Sequence, residues 1–262
     1  MLLTFTNTHL QKTSYQRIVS LVPSQTELLF DLGLEHQIVG ITKFCVHPFH
    51  AKQTKTIVGG TKTVKMNKIK ALQPDIILCN KEENTKEIVE ACEEICFTHV
   101  SDIFTMDDAK QLIVEYGQLF QRRTEARAMV QKLDFHLQDF HSFIKNRKHL
   151  KVAYFIWRNP WMVAANHTFI NHLLELNRFD NIYKDKERYP EIELKKIRLE
   201  GDPEVILLSS EPYPFKDEHA FEIGRFAHHA KTVFVDGELF SWYGSRLLKS
   251  FDYFKKLRNR LE

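Results

Sequence analysis

The chain has 262 residues, 43% of them hydrophobic, and 37 Lys and Arg stand against 34 Asp and Glu for a formal net charge of +3. That length has room for two lobes of ordinary domain size, each with its own core. The charge balance argues against a nucleic-acid or acidic-membrane partner, and no run of 18 apolar residues offers a membrane-spanning helix.

Met1 to Gln16 is mostly polar and uncharged. It lacks the basic start, apolar block and cleavage site of a secretory signal, and it has no Cys to carry a lipid. The expectation is a chain that stays in the cytoplasm, or one whose true start lies upstream of Met1. Cys45, Cys79, Cys92 and Cys96 all fall early in the chain. So few in so long a chain predict free thiols rather than a disulfide framework.

Arg17 to Val22 is an apolar run and the first expected strand. Ser24-Gln25-Thr26-Glu27 then has the form of a capping box. Leu28, Leu29 and Leu32 give the helix its buried stripe, and Gly33 can end it. Short strands are expected at Ile38 to Thr42 and Thr56 to Val58, followed by the tight Gly59-Gly60 pair. Pro74-Asp75-Ile76-Ile77-Leu78-Cys79-Asn80-Lys81-Glu82 starts on Pro and an acid, runs through an unbroken apolar block and stops on polar residues. Such a block between helices predicts a strand of a parallel sheet, buried on both faces. A helix bearing Ile88, Val89, Cys92, Ile95 and Cys96, a strand near Phe97 to Val100, and a helix bearing Ala109, Leu112, Ile113, Tyr116, Leu119 and Phe120 follow.

From Glu125 to Asn146 there is neither Gly nor Pro, and Met129, Leu133, Leu137, Phe140 and Ile144 recur every three or four residues. That is one amphipathic helix of about six turns, roughly 33 Å long. Lys151 to Ile156 restarts the strand pattern, and Thr168 can cap a helix carrying Ile170, Leu173 and Leu174. Pro203-Glu204-Val205-Ile206-Leu207-Leu208-Ser209-Ser210-Glu211 repeats the Pro-acid device. Thr232 to Val235 and a last helix with Leu247, Phe251, Phe254 and Leu261 complete the scheme. Two copies of one device predict two similar α/β lobes with parallel sheets: residues 1–123 and 148–262, joined by a connecting helix at 124–147. Ligands of such sheets bind beyond the carboxyl ends of the strands.

Trp157, Trp161 and Trp242 all lie just after expected strands of the second lobe, as do Tyr213, Phe215 and Tyr243; Phe44 is the counterpart in the first. Lys43, Lys81, Glu82, Arg158, Arg188, Glu211 and Arg246 are interleaved with them. Indoles at strand ends predict a concave aromatic site with a few orienting polar groups; packing between lobes is the alternative. Each aromatic face offers roughly 4–6 kcal/mol of gross burial, against an immobilisation cost on the order of 4–15 kcal/mol. Three or four faces therefore suit a large, partly flat ligand at micromolar affinity, and a bare metal ion could not use them.

Cys45-Val46-His47 is a second candidate. If extended, thiol and imidazole share a side and could touch a metal or form a thiolate nucleophile; a buried Cys45 is the plain alternative. Cys92, Cys96 and His99 have the spacing of a partial metal site, but both cysteines lie on an apolar stripe and a core role is expected. His228-His229 is expected in a solvated loop. No phosphate-loop glycine pattern occurs.

Ser20-Leu-Val-Pro-Ser-Gln-Thr-Glu27, Gly59-Gly60-Thr61, Ala71-Leu-Gln-Pro-Asp75 and the long central helix together resemble the helical-backbone (class III) periplasmic solute-binding proteins of ABC importers. Thr42-Lys-Phe-Cys-Val-His-Pro48, Ser209-Ser-Glu-Pro-Tyr-Pro-Phe215 and Phe240-Ser-Trp-Tyr-Gly-Ser245 are similar to a cobalamin-binding-type subgroup, the helical backbone metal receptors. The resemblance runs from about Arg17 to the C-terminus. It implies two lobes joined by one helix, an exported protein, and a cobalamin, siderophore–iron, haem or metal-ion ligand. It also implies cleft positions at Pro23, Ser24, Phe44, Cys45, Gly60, Lys81, Glu82, Trp157, Arg158, Tyr213 and Trp242. Cobalamin receptors of this kind dock on permease arginines through one exposed glutamate per lobe. The matching positions here are Asn67 and Lys195 or Lys196, with Glu191, Glu193 and Glu200 close by.

The expected function is a monomeric, non-enzymatic receptor, with no catalytic residue and no resident cofactor, that clamps a corrinoid or similar metal chelate. Trp157, Trp161, Trp242 and Phe44 would supply apolar faces, with Tyr213 and Tyr243 also in the ligand site. Arg158, Arg188, Arg246 and Lys81 would orient amide, carboxylate or phosphate groups, Pro23, Ser24, Gly60 and Glu82 are further ligand-site positions, and Cys45 or His47 would touch the metal. A cytoplasmic corrinoid or haem carrier without a permease, and a cytoplasmic enzyme using Cys45 and His47, are the alternatives.

Overall fold

The structure, a computed structural model, describes residues 14–262. The expectations about export and lipid attachment rest largely on Met1 to Thr13, outside the described residues. The chain forms two compact units: residues up to Asp102 with Asp108–Gln131, and Ile103–Asp107 with Lys132–Glu262. Two parallel-sheet α/β units are what the doubled Pro-acid device predicts.

In the first unit the elements are β1 (Ile18–Ser20), α1 (Pro23–Asp31), β2 (Ile38–Ile41), α2 (Ala51–Thr54), β3 (Thr56–Ile57), α3 (Met66–Ala71), β4 (Ile76–Asn80), α4 (Lys86–Glu93), β5 (Phe97–Ser101) and α5 (Met106–Leu119), followed by α6 (Arg123–Ile144). The sheet is parallel throughout, in the order β3-β2-β1-β4-β5. Every residue of β4 is buried, as an unbroken apolar strand covered on both faces requires. Helix α6 has 22 residues, close to the expected span. Met129, Leu133, Phe140 and Ile144 of its stripe are buried. The division between the units falls inside α6, between Gln131 and Lys132.

The second unit contains β6 (Leu150–Trp157), β7 (Met162–Val163), α7 (Phe169–Leu176), β8 (Phe179–Asn181), α8 (Ile197–Glu200), β9 (Val205–Ser209), α9 (Asp217–Gly224), β10 (Lys231–Val235), α10 (Gly237–Ser241) and α11 (Leu247–Leu261). Its sheet runs β10-β9-β6-β7, with β8 also on β6. Only the β6–β7 hairpin pairs antiparallel among these strands. Strand β9 is buried along its whole length, like β4.

The acids of the repeated device have one job in both units. Asp75 accepts the N–H groups of Gln16 and Arg17 at 2.8 and 2.9 Å, and Glu204 accepts that of Lys151 at 2.9 Å. Each carboxylate thereby satisfies a donor near the start of the neighbouring strand, just before that strand's ladder with the strand that follows the acid begins.

One local expectation is corrected. Helix α1 starts at Pro23, with Val22 as its N-cap and no side-chain cap bond. Proline fits the first helical position because its missing N–H would have no partner there. Ser24 is therefore already inside the helix, and Ser24 to Glu27 form no capping box. Thr168 does cap α7, accepting from the Asn171 N–H.

Candidate functional site

At the carboxyl end of the second sheet, Trp157 closes β6 and remains 39% exposed. Its ring meets Tyr213 edge-on at 5.5 Å, and Tyr213 packs on Phe215 at 5.0 Å. Phe215 stacks on Trp161 at 6.0 Å with the planes 7° apart. Trp157, Tyr213, Phe215 and Trp161 thus form one continuous aromatic run, drawn from the β6–β7 hairpin and the loop after β9. His219 holds the run from behind, its Nε2 3.1 Å from the Tyr213 hydroxyl. Beside Trp161 lies a depression of about 700 Å³, floored by Pro160, Ile192, Leu194 and Phe226 and edged by Glu191, Glu193, Lys195 and Glu222. Residues 191–195 were not expected here, because their distance from Trp161 along the chain hides the contact.

Trp242 is placed differently from the expectation. It follows the short helix α10 rather than a strand, and it is only 7% exposed. Its Nε1–H donates to Glu211 Oε1 at 2.8 Å, and Arg246 lies 5.0 Å from its ring centre. Tyr243 is buried against Phe169 at 6.0 Å. Neither ring is the open wall that its sequence position suggested, because α10 turns this segment into the unit.

The basic residues expected to orient a ligand are each engaged by the chain itself. Arg158 donates from Nε and Nη2 to Glu222 Oε2 at 3.0 and 2.9 Å, and Glu222 pushes its guanidinium pKa further up. Arg246 pairs with Glu238 at 2.9 Å, and Lys81 with Asp102 at 2.8 Å. Arg188 has a positive φ of 54° and sets its guanidinium 6.0 Å from the Phe104 ring.

In the first unit, the carboxyl ends of the strands are followed by Pro23, Ser24, Phe44, Gly60, Lys81 and Glu82. Pro23 and Ser24 are buried in the first turn of α1. Phe44 is half-exposed, with Lys43 Nζ 4.9 Å from its ring centre. A Cβ on Gly60 would stand 3.1 Å from Phe44 Cε2, so the glycine lets that ring lie close. Sequence reasoning passed over two residues that shape this rim. Asn80 Oδ1 accepts the Glu82 N–H at 2.8 Å, while Asn84 accepts the Asn80 N–H at 2.9 Å and donates to Thr61 O at 3.0 Å. The available signal was a buried amide ending an apolar strand. Glu83 follows in the same loop, and burial pushes its carboxyl pKa up.

Cys45 and His47 do not share a side. The Cys45 N–H donates to Thr42 O at 3.2 Å, so residues 42–45 form a turn rather than an extended segment. The turn sends Cys45 into the core, fully buried, with its thiol 3.1 Å from Thr26 Oγ1 and 3.3 Å from Thr42 Oγ1. His47 is only half-buried. Burial pushes the Cys45 thiol pKa up, the opposite of what a nucleophilic or metal-binding thiolate needs. The burial of Cys45 and the turn at 42–45 depart from the expected extended Cys45–His47 pair open to a ligand. Cys92 is core as expected, and His99 pairs with Glu115 at 3.4 Å. Among the described residues, no group of three or more His, Cys, Asp or Glu is placed to hold a metal ion.

At the positions matching docking glutamates, Asn67 is exposed on α3. Lys195 and Lys196 both bind Glu193, at 3.0 and 2.5 Å, and hold its carboxyl pKa down at about 2. No helix among the described residues is long and apolar enough to cross a membrane.

The family profile described as periplasmic binding protein matches residues 18–228. A vitamin B12-binding protein of Pectobacterium carotovorum is 22% identical over 244 residues, covering 89% of this chain and 84% of its own length. An uncharacterized ABC transporter substrate-binding lipoprotein of Bacillus subtilis is 24% identical over 252 residues, covering 91% and 78%. The crystal structure of a periplasmic vitamin B12-binding protein of Vibrio cholerae superposes with a TM-score of 0.80 at 18% identity, covering 94% of this chain and 98% of that one.

Proposed function

Because the chain belongs to the periplasmic binding protein family, we propose that it is a receptor for a bulky metal chelate of the corrinoid class, serving ABC-type uptake. The observation that carries this is the aromatic run of Trp157, Tyr213, Phe215 and Trp161 at the strand ends of the second unit. Trp157 is exposed, and Tyr213 and Trp161 are partly exposed around the buried Phe215; rings of this kind at one strand end favour a wide ligand that buries several of them at once. Two of the relatives are named vitamin B12-binding proteins and one an ABC transporter substrate-binding lipoprotein, while two solved structures of the same fold, at TM-scores of 0.81 and 0.82, are named haem-binding proteins. With its basic groups already paired, the rim selects by shape and apolar area more than by net charge.

Titrating the purified protein with cobalamin, cobinamide, haem and a ferric siderophore tests this, through tryptophan quenching and the ligand's visible spectrum. Saturable change with a corrinoid at micromolar concentration is expected. Silence with all four removes the proposal. Haem or siderophore binding alone would move the ligand class.

A second possibility is a chelate carrier that has no permease. It is favoured by Asn67 and by Glu193, whose carboxylate is already held by Lys195 and Lys196, although the exposed Glu191 stands beside them. Fractionation separates the two: recovery of the native protein in the periplasm supports the uptake receptor, and recovery inside the cell supports the carrier.

A further inference from the structure

One carboxylate oxygen in the second unit holds two consecutive residues. Glu211 Oε1 accepts from Trp242 Nε1 at 2.8 Å, and Ser241 Oγ, also 2.8 Å away, shares its one hydroxyl proton between Glu211 Oε1 and the Gly237 carbonyl at 2.9 Å. The indole is therefore fixed at its nitrogen, and the backbone leading into it is fixed through the preceding side chain. Charge-assisted bonds of this kind are shorter and stronger than neutral ones. The other end of Glu211 is braced as firmly. Its carbonyl oxygen accepts from Ser209 Oγ at 2.6 Å, and Ser209 Oγ accepts from the Tyr154 hydroxyl at 3.1 Å. Gly237 makes room for it: a Cβ there would stand 2.7 Å from Glu211 Cγ and 3.0 Å from Glu211 N. Two residues further on, Tyr213 supports Trp157.

We propose that Glu211 is a positioning residue that locks Trp242 to the loop carrying Tyr213, and so sets the aromatic rim for the chelate. Trp242 is too buried to be the main open face, and its role is to hold the 211–213 loop in register with α10. A ring held at its Nε1 and faced by Arg246 cannot swing, so the loop under Trp157 is fixed before a ligand arrives. Preformed geometry of this kind raises affinity by cutting the ordering cost of binding. The affinity part rests on the proposed function, while the positioning part does not.

The test has two arms. In a Trp157→Phe, Trp161→Phe background, Trp242 is the remaining tryptophan of three, and its emission and acrylamide quenching report its environment without any ligand. Glu211→Ala is expected to shift the emission to longer wavelength and raise the quenching constant about twofold, because a freed indole meets water. Glu211→Gln, which keeps an acceptor oxygen, should restore both. In the otherwise unaltered chain, Glu211→Ala should weaken cobinamide binding about tenfold, and Glu211→Gln should stay within about threefold. Unchanged Trp242 emission in a folded Glu211→Ala protein overturns the positioning role. Failure of Glu211→Gln to restore the emission overturns it as well. Should Glu211→Ala not fold, Glu211→Met, which keeps the length of the side chain but removes both acceptor oxygens, carries the same measurement with the same expected and overturning outcomes. If the parent protein binds no corrinoid, the receptor proposal falls and the emission arm still decides the role of Glu211.

Discussion

Cys45 Sγ lies 3.1 Å from Thr26 Oγ1, so the thiol is packed against α1 and faces away from solvent. Native-state labelling with iodoacetamide should modify the partly exposed Cys96 first and leave Cys45 untouched until the chain unfolds. Early modification of Cys45 would contradict its placement.

The same thiol gives a pH dependence. Its folded pKa is raised by burial, so its contribution is fully present below the unfolded thiol pKa of about 8.5. It is lost as pH rises from there up through the folded value, because between the two values only the unfolded chain is ionised. Thermal melts should fall on the alkaline side of that range, and Cys45→Ala should flatten the decline.

Asp75 and Glu204 should contribute alike. Removing either carboxylate by Ala leaves strand-start N–H groups without an acceptor and should cost about 1–2 kcal/mol in urea unfolding. A negligible effect at both positions would show that water replaces the acid freely.

Gly237→Ala should be destabilising by about 1–3 kcal/mol, since the added Cβ meets Glu211 backbone and side chain at 3.0 Å or less. Cobinamide affinity should fall with it, whereas Gly224→Ala, with open space around the new Cβ, should leave binding alone.

Trp157→Ala should weaken corrinoid binding at least about tenfold, with little change in melting temperature, because the ring is 39% exposed and is held chiefly by Tyr213. A large loss of stability would mean that the ring is structural.

The sequence by itself determined what depends on neighbours along the chain. The unbroken apolar runs of β4 and β9, the three-and-four spacing of α6 and the Thr168 cap were all readable, because local period and burial on both faces leave few other arrangements. Clustering of aromatic rings at the end of β6 was readable for the same reason, since Trp157 lies where an apolar run stops. The tertiary structure alone decided which way those groups face and what they bind. Trp242 and Glu211 meet across 31 residues, and Arg158 and Glu222 across 64. The turn at 42–45 and the short helix α10 sent Cys45 and Trp242 inward, where sequence position had placed them at an open site. The hydrogen bonds and ion pairs that fix these side chains span separate elements, and no local pattern carries the direction in which a loop turns its residues.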